Sequence, residues 1–562
     1  MKSNINVFLG TAEESIKTAL ENLAKGKIIE RIWQKDHTVW KKDPQEIHNR
    51  LDWLTIVEEI EPQIGTLQEF ALELHQEGFQ QAFLLGMGGS SLAPELFARV
   101  LPRRSNALEL LVLDTTDAET ISRYTQIANQ KKTLYIVSTK SGNTLETLML
   151  FRHFFALVQR KGGESAGQYF VAITDPGSPL VDLAQQHRFR KVFLNNPNIG
   201  GRYSAFSLFG LVPASLTGVN LHRLLNSAKE GMQQCLPNLS LEENYGALLG
   251  SMMGVLAEKG QNKPTFFFSP QQWKSFGDWL EQLIAESTGK EGKGILPVIE
   301  HAPCPIHQYG EDRWFVMIGD TQNPFMEQLS QEMRKANCPF FHAELPDPHT
   351  LGEQMFLWEF ATAVAGYFLG INPFDQPNVE ETKILTKKRI HNTQTLPDRG
   401  ALLLNEAITV IPDHSASSPQ EAFFNLFLQL PQNGYIALQA FLPYRKQIED
   451  ELWKIASTLR DRIRRAVTVG FGPRFLHSTG QLHKGDDGKG IFIQFLSENP
   501  SPLPIPGEPF DFDFLKKAQA FGDREALQNR GRQVITCIVK EPIPESLATI
   551  RAIFEHLPLT EC

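Results

Sequence analysis

Residues 81–91 read Gln-Ala-Phe-Leu-Leu-Gly-Met-Gly-Gly-Ser-Ser, an apolar run that passes directly into glycines and serines. The apolar run predicts a short buried strand over 81–85, and the apolar spacing that follows predicts a helix over 92–100. Glycine lets a backbone approach an anion closely, and the free N–H groups at the start of a helix can then bind that anion. The stretch therefore predicts a phosphate-binding turn or, as the alternative, a structural connection between a strand and a helix.

The alternation of strands and helices continues after this stretch. Similar strands are predicted at 108–113, 133–137, 168–173 and 191–194, with helices at 118–129, 144–160 and 180–187. Strands that are apolar along their whole length must be covered on both faces, so this pattern favours a parallel sheet with helices on each side. Ligands bind such sheets at the carboxyl ends of the strands, where this turn and two later loops lie.

The remaining chain divides into further units. Apolar spacing predicts helices over 12–23 and 47–74. A second unit has predicted strands at 264–269, 313–318 and 339–344 and helices at 272–287, 351–369 and 377–388, and a third has predicted strands at 435–441, 467–470, 490–495 and 533–539. We therefore predict four parts: an N-terminal helical segment (1–50), a first α/β domain (51–244), a second α/β domain (245–400) and a C-terminal α/β domain (401–562).

Charge and cysteine usage exclude several classes of protein. The 562 residues carry a net charge of −9 with an isoelectric point near 6.0, and no long block of Lys or Arg occurs. Nucleic-acid binding depends on a basic surface, so a nucleic acid is not expected as a partner. The five cysteines show no Cys-x-x-Cys spacing, which indicates reduced thiols. Because no secretory segment or membrane-spanning run is recognisable, we expect a soluble cytoplasmic protein.

Two later loops repeat the combination of glycine, hydroxyl group and cation. Residues 138–144 read Ser-Thr-Lys-Ser-Gly-Asn-Thr ahead of a predicted helix, and residues 200–204 read Gly-Gly-Arg-Tyr-Ser after a predicted strand. An arginine binds phosphate or a developing oxyanion well because its planar fork keeps its charge. The alternatives are a capped helix with surface hydroxyls for the first loop and an ordinary surface arginine for the second.

The predicted helix over 272–287 carries a candidate general base. Gln282 and Glu286 are four residues apart and therefore share one face of this helix. A carboxylate held there can take and return a proton, although a surface glutamate is the alternative interpretation. Lys383, on the second turn of another predicted helix, is by default a solvated lysine.

A glycine-punctuated polar loop over 470–485 contains two histidines, His477 and His483. The loop is as consistent with a functional role as with a structural one. Metal ligation by these histidines is disfavoured, because no cysteine and no acidic residue at a known ligand spacing accompanies them.

Taken together, these segments resemble the phosphoglucose isomerase family, whose fold repeats the sugar-isomerase (SIS) α/β domain. The most specific matches are Gly-Gly-Arg-Tyr-Ser at 200–204, Glu-Ser-Thr-Gly-Lys at 286–290, and Asn-Pro-Phe-Asp-Gln at 372–376 followed by Lys383. Residues 472–481 are similar to the tail of fused transaldolase/phosphoglucose isomerase proteins. The resemblance implies two doubly wound parallel-sheet SIS domains followed by a C-terminal α/β domain, and a homodimer.

The resemblance also implies roles for individual residues. Glu286 would move a proton between C2 and C1, Arg202 would stabilise a cis-enediolate, and Lys383 would assist ring opening. His307, with His301 as the second choice, matches a ring-opening histidine that the family takes from the other subunit. The implied substrate-binding residues are Ser90, Thr139, Lys140, Ser141 and Thr144 around the phosphate, and Gln282 and Gln376 against the sugar.

We therefore expect an isomerase that interconverts glucose 6-phosphate and fructose 6-phosphate. This chemistry needs a base, a cation and a proton shuttle, so neither a metal nor a cofactor is expected. One alternative is a regulatory protein that binds sugar phosphates without catalysis, which would have no need of the base. A transaldolase-like enzyme is the other alternative, and the lack of a (β/α)₈ pattern disfavours it.

Overall fold

A computed structural model of the chain describes residues 2–104, 107–319, 323–392, 400–499 and 501–558. Its strands are β1 (Asn4–Phe8), β2 (Gln81–Gly86), β3 (Glu109–Leu113), β4 (Thr133–Ser138), β5 (Phe170–Thr174), β6 (Lys191–Leu194), β7 (Lys263–Ser269), β8 (Val298–Ile299), β9 (Arg313–Gly319), β10 (Phe340–Glu344), β11 (Leu402–Asn405), β12 (Ile408–Ile411), β13 (Tyr435–Phe441), β14 (Ala466–Phe471), β15 (Gly490–Ser497) and β16 (Gln533–Val539). Its helices are α1 (Glu13–Lys25), α2 (Ile28–Trp33), α3 (Ile56–Glu59), α4 (Ile64–Gln76), α5 (Leu92–Val100), α6 (Ala118–Ala128), α7 (Leu145–Gly162), α8 (Pro179–Gln186), α9 (Leu208–Leu216), α10 (Leu221–Gln233), α11 (Tyr245–Glu258), α12 (Lys274–Thr288), α13 (Pro324–Lys335), α14 (Leu351–Leu369), α15 (Val379–Asn392), α16 (Pro419–Leu428), α17 (Lys446–Ile463), α18 (Gly480–Gly485), α19 (Phe512–Gln528) and α20 (Ile543–His556).

The first sheet is parallel throughout and has the strand order β3-β2-β4-β5-β6. The central strands β2 and β4 are buried along their whole length, as expected for apolar strands that are covered on both faces. The predicted elements of this unit are confirmed, and each boundary lies within two residues of the prediction.

The second sheet has the order β1-β10-β9-β7-β8. Strands β7 to β10 are parallel, whereas β1 pairs antiparallel with β10, from Asn4 opposite Glu344 to Phe8 opposite Phe340. The N-terminal segment, for which helices alone were expected, therefore also adds an edge strand to the second unit. Five residues of mixed polarity are too short a pattern to predict this strand from the sequence.

The predicted helix over 47–74 is wrong as a single element. Residues 47–55 form turns and a 3₁₀ helix over Asp52–Leu54, and the remainder is divided into the short helix α3, a 3₁₀ turn over Glu61–Gln63 and the longer helix α4. Pro62 lies in that turn. Because proline lacks a backbone N–H and is tolerated only in the first turn of a helix, it starts a new helix here and cannot continue the preceding one.

The third sheet has the order β11-β12-β16-β15-β13-β14. Its four parallel strands, β13 to β16, lie where the sequence predicted strands. The antiparallel pair β11–β12 was not predicted. Each strand of that pair has only four residues, and β11 lies at the edge of the sheet with alternate residues exposed, so neither gives a long apolar run.

The three units pack closely on one another. One apolar core contains Leu96 of the first unit together with Trp279 and Phe356 of the second. A second core joins Phe154, on a helix that covers the first sheet, to Phe512 of the C-terminal unit. In the described part of the chain, no helix is both long and apolar enough to cross a membrane.

A buried ion pair also joins the first and third units. Lys516 Nζ, on α19, lies 2.9 Å from Asp117 Oδ2 and 2.9 Å from Ser497 Oγ, and both charged side chains are at most 1% exposed. Asp117 is also the N-cap of α6, where its carboxylate accepts a hydrogen bond from the backbone N–H of Thr120. A charge buried to this extent needs its partner, because leaving it alone costs its full desolvation energy.

We predict that Lys516→Met destabilises the chain strongly, since it leaves the Asp117 carboxylate buried without its cation. The expected loss is about 3–5 kcal/mol of the free energy of unfolding, measured by urea denaturation. The matched control is Lys517→Met at the next position, where the side chain is 25% exposed and pairs with Asp513. That variant should lose about 0–1 kcal/mol. Equal losses in the two variants would contradict the assignment.

Candidate active site

Three predicted loops meet near one edge of the first sheet. Gly86 and Ser138 are partners in the register of β2 and β4, so the first two loops begin side by side. The first and third loops meet backbone to backbone, because a β-carbon built on Gly89 would lie 1.9 Å from the carbonyl oxygen of Gly201. Gly88 has a φ of +53°, which glycine adopts without steric cost. Glycine is therefore required at 88 and 89 by the backbone geometry.

The hydroxyl groups predicted to bind phosphate are grouped on the first two loops. Thr139 Oγ1 and Thr144 Oγ1 lie 2.7 Å apart, and Ser141 Oγ donates to Asn143 Oδ1 at 2.6 Å. Ser90 is almost fully buried on the first loop. The hydroxyl groups of the second loop thus find hydrogen-bond partners within the loop, and each can rotate toward a ligand oxygen.

Lys140, the fifth predicted phosphate ligand, turns toward a different loop. Its ammonium group forms an ion pair with the Asp175 carboxylate and donates to the carbonyl oxygen of Pro197 at 2.8 Å. Burial lowers the pKa of Lys140 and raises that of Asp175. The sequence offered no sign of this pairing, because Asp175 follows the next strand along the sheet.

Glu286 and Arg202 meet at the junction of the first two units. Arg202 Nη1 lies 3.5 Å from Glu286 Oε2, and the arginine side chain is 2% exposed. Gln282 Nε2 donates to the same Glu286 oxygen at 3.1 Å, and Arg202 Nη2 donates to Gln376 Oε1 at 3.1 Å. The structure therefore brings together four of the predicted site residues.

Two buried polar atoms at this junction have no hydrogen-bond partner among the described residues. They are Arg202 Nη1, which is a donor, and Gln282 Oε1, which is an acceptor. Burying a polar atom without a partner costs free energy, so such atoms are rare in the absence of a ligand or water. Together they indicate a place for a ligand that presents one negatively polarised oxygen and one hydroxyl group.

Lys290 is a site residue to which the sequence alone assigned no role. Its Nζ lies 2.7 Å from Asp375 Oδ1, and the backbone oxygen of Asp375 also accepts from Arg202 Nη2 at 2.8 Å. Burial, followed by the charge of Arg202, lowers the pKa of Lys290 to about 7. Lys290 follows Gly289, the residue that ends α12, so its position beside Glu286 is the only signal the sequence carries.

Lys383 lies on the exposed side of α15. Its Nζ pairs with Glu380 Oε1 at 2.7 Å, and the side chain is 49% exposed. The lysine is nevertheless close enough to Glu146 for its charge to help to lower the pKa of that carboxyl group. The exposure of Lys383 agrees with the interpretation of a solvated lysine. Its effect on Glu146 indicates that its charge is close to the start of α7, directly after the second loop.

The two histidines predicted for ring opening lie elsewhere on this chain. His307 is exposed on a 3₁₀ turn over Ile306–Gln308. His301 stacks on Trp453 with ring centroids 3.5 Å apart, and burial lowers its pKa to about 3. In the ranges that the structure describes, no hydrogen bond or ion pair joins either histidine to Glu286. Any role of His307 at this site would require a second copy of the chain.

A different histidine, from the C-terminal unit, lies at the site. His477 Nε2 lies 3.0 Å from Glu146 Oε1, and the backbone oxygen of His477 accepts from Gln282 Nε2 at 2.8 Å. Gln519 Nε2 donates to the same Glu146 oxygen at 2.7 Å. Burial alone would raise the pKa of Glu146, but the charge and hydrogen bond of His477 hold it below its usual value. The loop was noted from its sequence but the contact was missed, since 331 residues separate the two side chains.

Comparison with known proteins agrees with this geometry. The phosphoglucose isomerase family model matches residues 76–343. This segment of the chain therefore contains a phosphoglucose isomerase domain. It is 29% identical over 381 residues to a glucose-6-phosphate isomerase of Carboxydothermus hydrogenoformans, which covers 58% of this chain and 82% of the relative. It is also 28% identical over 429 residues to the Mycoplasmopsis pulmonis enzyme of the same name, which covers 67% of this chain and 94% of the relative.

Solved structures share the fold. A hypothetical protein from Thermus thermophilus superposes with a TM-score of 0.59 at 22% identity, covering 69% of this chain and 99% of that one. A glucose-6-phosphate isomerase from Chlamydia trachomatis superposes with a TM-score of 0.57 at 20% identity, covering 68% and 87%. These neighbours confirm the predicted α/β fold class with parallel sheets.

The match to the isomerase family covers only part of the candidate site. Glu286 and Arg202 lie inside the matched segment, whereas Gln376, Lys383 and His477 lie beyond it. The contact between Arg202 and Gln376 and the contact between Gln282 and His477 therefore cross the end of the matched segment.

Another face of α12 borders a wide cleft of about 1470 Å³. It is lined by side chains from all three units, among them Glu95, Glu281, His301 and Trp453. Burial raises the pKa of Glu281 to about 8. Neither Glu286 nor Arg202 lines this cleft, so the cleft is distinct from the isomerase-family site. Among the predicted site residues, only His301, the second choice for the ring-opening histidine, lines it.

We predict that Gly89→Ala destabilises the chain by about 1–3 kcal/mol, because the added β-carbon overlaps the backbone of the third loop. Gly201→Ala is the matched control, since a β-carbon at that position meets nothing within 4 Å. Its effect should stay within about 0.5 kcal/mol. Urea unfolding of both variants measures the difference, and a stable Gly89→Ala protein would show that the two loops are not in contact.

Proposed function

We propose that this chain interconverts glucose 6-phosphate and fructose 6-phosphate by moving a proton between C1 and C2. The observation that carries the proposal is the Glu286 carboxylate, oriented by Gln282 and placed 3.5 Å from the buried Arg202 guanidinium. A carboxylate beside a fixed cation is the pair that enolisation of a sugar requires. The relatives named glucose-6-phosphate isomerase support the same reaction.

Glu286 acts as the base in this proposal. Its carboxylate removes the C2 proton of the open-chain aldose and returns that proton to C1, while the negative charge collects on the enediolate oxygens. The hydroxyl proton of O2 passes to O1 in the same interconversion, so that the C1 aldehyde becomes a hydroxyl group and C2 becomes the carbonyl. Among the described residues, Arg202 Nη1 has no hydrogen-bond acceptor. It is therefore available to donate to an enediolate oxygen. A donor that is already in place when the charge develops stabilises the transition state without reorganisation.

The phosphate group is held by the first two loops. Thr139 and Thr144 exchange their mutual hydrogen bond, and Ser141 its bond to Asn143, for bonds to phosphate oxygens, and the Ser90 hydroxyl group joins them. Lys140 adds positive charge beside them, and its ion pair with Asp175 keeps that charge close to the loop in the absence of substrate. Gln282 and Gln376 contact the sugar hydroxyls from the side of Arg202.

Ring opening needs two further groups. The resemblance assigns one of these roles to Lys383, whose charge acts on Glu146 near the start of α7, and the other to His307 of a second copy of the chain. The homodimer implied by the resemblance and the cytoplasmic location expected from the sequence both stay predictions. A regulatory protein without catalysis is not favoured, because it would have no use for a carboxylate aligned with an arginine.

We predict that Glu286→Gln abolishes isomerisation while preserving the fold. The amide keeps the shape of the side chain but cannot accept the proton, so kcat should fall by roughly 10²–10⁴-fold or more. A coupled assay with glucose 6-phosphate measures turnover, and NMR in D₂O measures exchange of the C2 proton.

The matched control is Glu281→Gln, one residue before Gln282 on the same helix. The pKa of about 8 keeps this carboxyl group protonated at neutral pH, so the substitution changes its charge little and should leave turnover within about twofold. Full activity of Glu286→Gln would refute the proposed mechanism.

A further inference from the structure

The C-terminal unit repeats the strand arrangement of the other two units. In each unit, the second parallel strand along the chain pairs with one side of the first strand. The third strand pairs with the opposite side of the first, and the fourth strand pairs with the third. The parallel orders are β3-β2-β4-β5, β8-β7-β9-β10 and β14-β13-β15-β16. The match to the isomerase family ends before this third unit, so the repetition is evident from the topology alone.

Equivalent loops follow the second strand in the second and third units. After β8 the chain runs through 300–308, which includes His301 and His307. After β14 it runs through 472–479, which includes His477. The third unit thus carries a histidine-bearing loop at the same topological position as the loop that contains the predicted ring-opening histidines.

The loop of the third unit is fixed to both of the other units. Arg474 forms an ion pair with Glu95, and its Nε lies 3.4 Å from Asp114 Oδ2, both in the first unit. Gln481 Nε2 donates to the backbone oxygen of Gly289, at the end of the helix that carries Glu286, at 2.8 Å. Charge-assisted contacts of this kind, with both partners largely buried, hold a loop in one orientation.

The His477 side chain is oriented within the site. Its Nε2 faces the Glu146 carboxylate at 3.0 Å, and its β-carbon would lie 3.3 Å from a β-carbon built on Gly88 of the first phosphate loop. The other ring nitrogen, Nδ1, makes none of the hydrogen bonds among the described residues, and the side chain is 20% exposed. A histidine oriented by a carboxylate, with one nitrogen left for a ligand, is the arrangement used for proton transfer.

We infer that the C-terminal unit supplies the ring-opening group of the isomerase from within the same chain, and that this group is His477. The inference rests on the proposed function and assigns one of its steps. Glu146 and Gln519 are positioning residues, because they hold the imidazole and do not themselves reach the sugar. A single chain then contains the base, the cation, the phosphate loops and the ring-opening group.

Ring opening breaks one bond of the sugar and moves two protons. Nδ1 of the protonated imidazole gives its proton to the ring oxygen of glucose 6-phosphate while the bond between C1 and that oxygen breaks. The C1 hydroxyl group loses its proton to water and becomes the aldehyde oxygen. The imidazole then regains a proton from solvent, and the open-chain sugar is ready for Glu286 to remove the C2 proton.

Ring opening can be observed apart from isomerisation, because opening and reclosing interconverts the two anomers of glucose 6-phosphate. Saturation-transfer NMR between the two anomeric C1 protons measures that rate. We expect the Glu286→Gln protein to accelerate anomer exchange and the Glu286→Gln/His477→Gln protein to lose the acceleration. The amide introduced by His477→Gln keeps an N–H donor toward Glu146 but cannot pass on a proton, so a loss reports on chemistry and not on loop placement.

The single variant His477→Gln should lower kcat/KM for glucose 6-phosphate by roughly 10²-fold or more. His391→Gln, at an exposed histidine near the end of α15, is the matched control and should change it by less than about twofold. If the wild-type chain isomerises the sugar and the His477→Gln variant does so at the same rate, this inference is overturned while the proposed function stands. A wild-type chain that does not isomerise the sugar would instead refute the proposed function, and this inference with it.

Complementation decides whether the histidine acts within one chain. The Glu286→Gln and His477→Gln chains are co-expressed with different tags and purified through both tags, and each chain is also purified separately and mixed. If the site is built within one chain, no mixture regains turnover. Recovery of about a quarter or more of wild-type activity would overturn the inference. The His307→Gln chain alone should keep wild-type turnover, since this inference gives His307 no role. A loss of turnover in His307→Gln that is regained on mixing with Glu286→Gln would instead show that His307 serves a neighbouring chain.

Discussion

The side-chain amide of Gln282 connects the parts of the candidate site. One of its two N–H groups donates to the Glu286 carboxylate, four residues further along the same helix, and the other donates to the backbone oxygen of His477 in the third unit. The amide also touches the first phosphate loop, since a β-carbon on Gly88 would lie 2.7 Å from Gln282 Nε2. In a buried setting these bonds are strong and directional. The direction of the base and the position of the third unit therefore depend on one side chain.

Local charges, and not a general field, must capture the anionic substrate, because the chain as a whole carries a net charge of −9. The structure provides cations whose counter-ions are already present. Lys290 pairs with Asp375, and Lys140 pairs with Asp175. An unpaired buried cation would cost several kcal/mol, so these pairs allow the buried Lys290 and the half-buried Lys140 to stay in place until a sugar phosphate brings its own negative charge.

The sequence was sufficient to predict the features that depend on local pattern. Apolar runs located the parallel strands, and the spacing of Gln282 and Glu286 placed both on one face of α12, where they are bonded to each other. The resemblance to the isomerase family then supplied the chemical roles. Pro62 shows the limit of periodicity, since one residue divides an otherwise continuous apolar pattern into separate helices. Features that depend on distant contacts could not be predicted. Two examples are the pairing of β1 with β10 and the contact between His477 and Glu146. In each case the sequence of one segment gives no indication of the other, and only the fold brings the two together.

The repetition of one α/β unit gives a physical reason for such an arrangement. A group that must come from a second molecule is present only as far as the two molecules associate, and its contribution falls with dilution. A group on a third unit of the same chain has a fixed and high effective concentration that does not depend on protein concentration. The buried contacts of Lys516 and Phe512 with the first unit hold the third unit in place. The stability of this interface is therefore itself a condition for the orientation of His477.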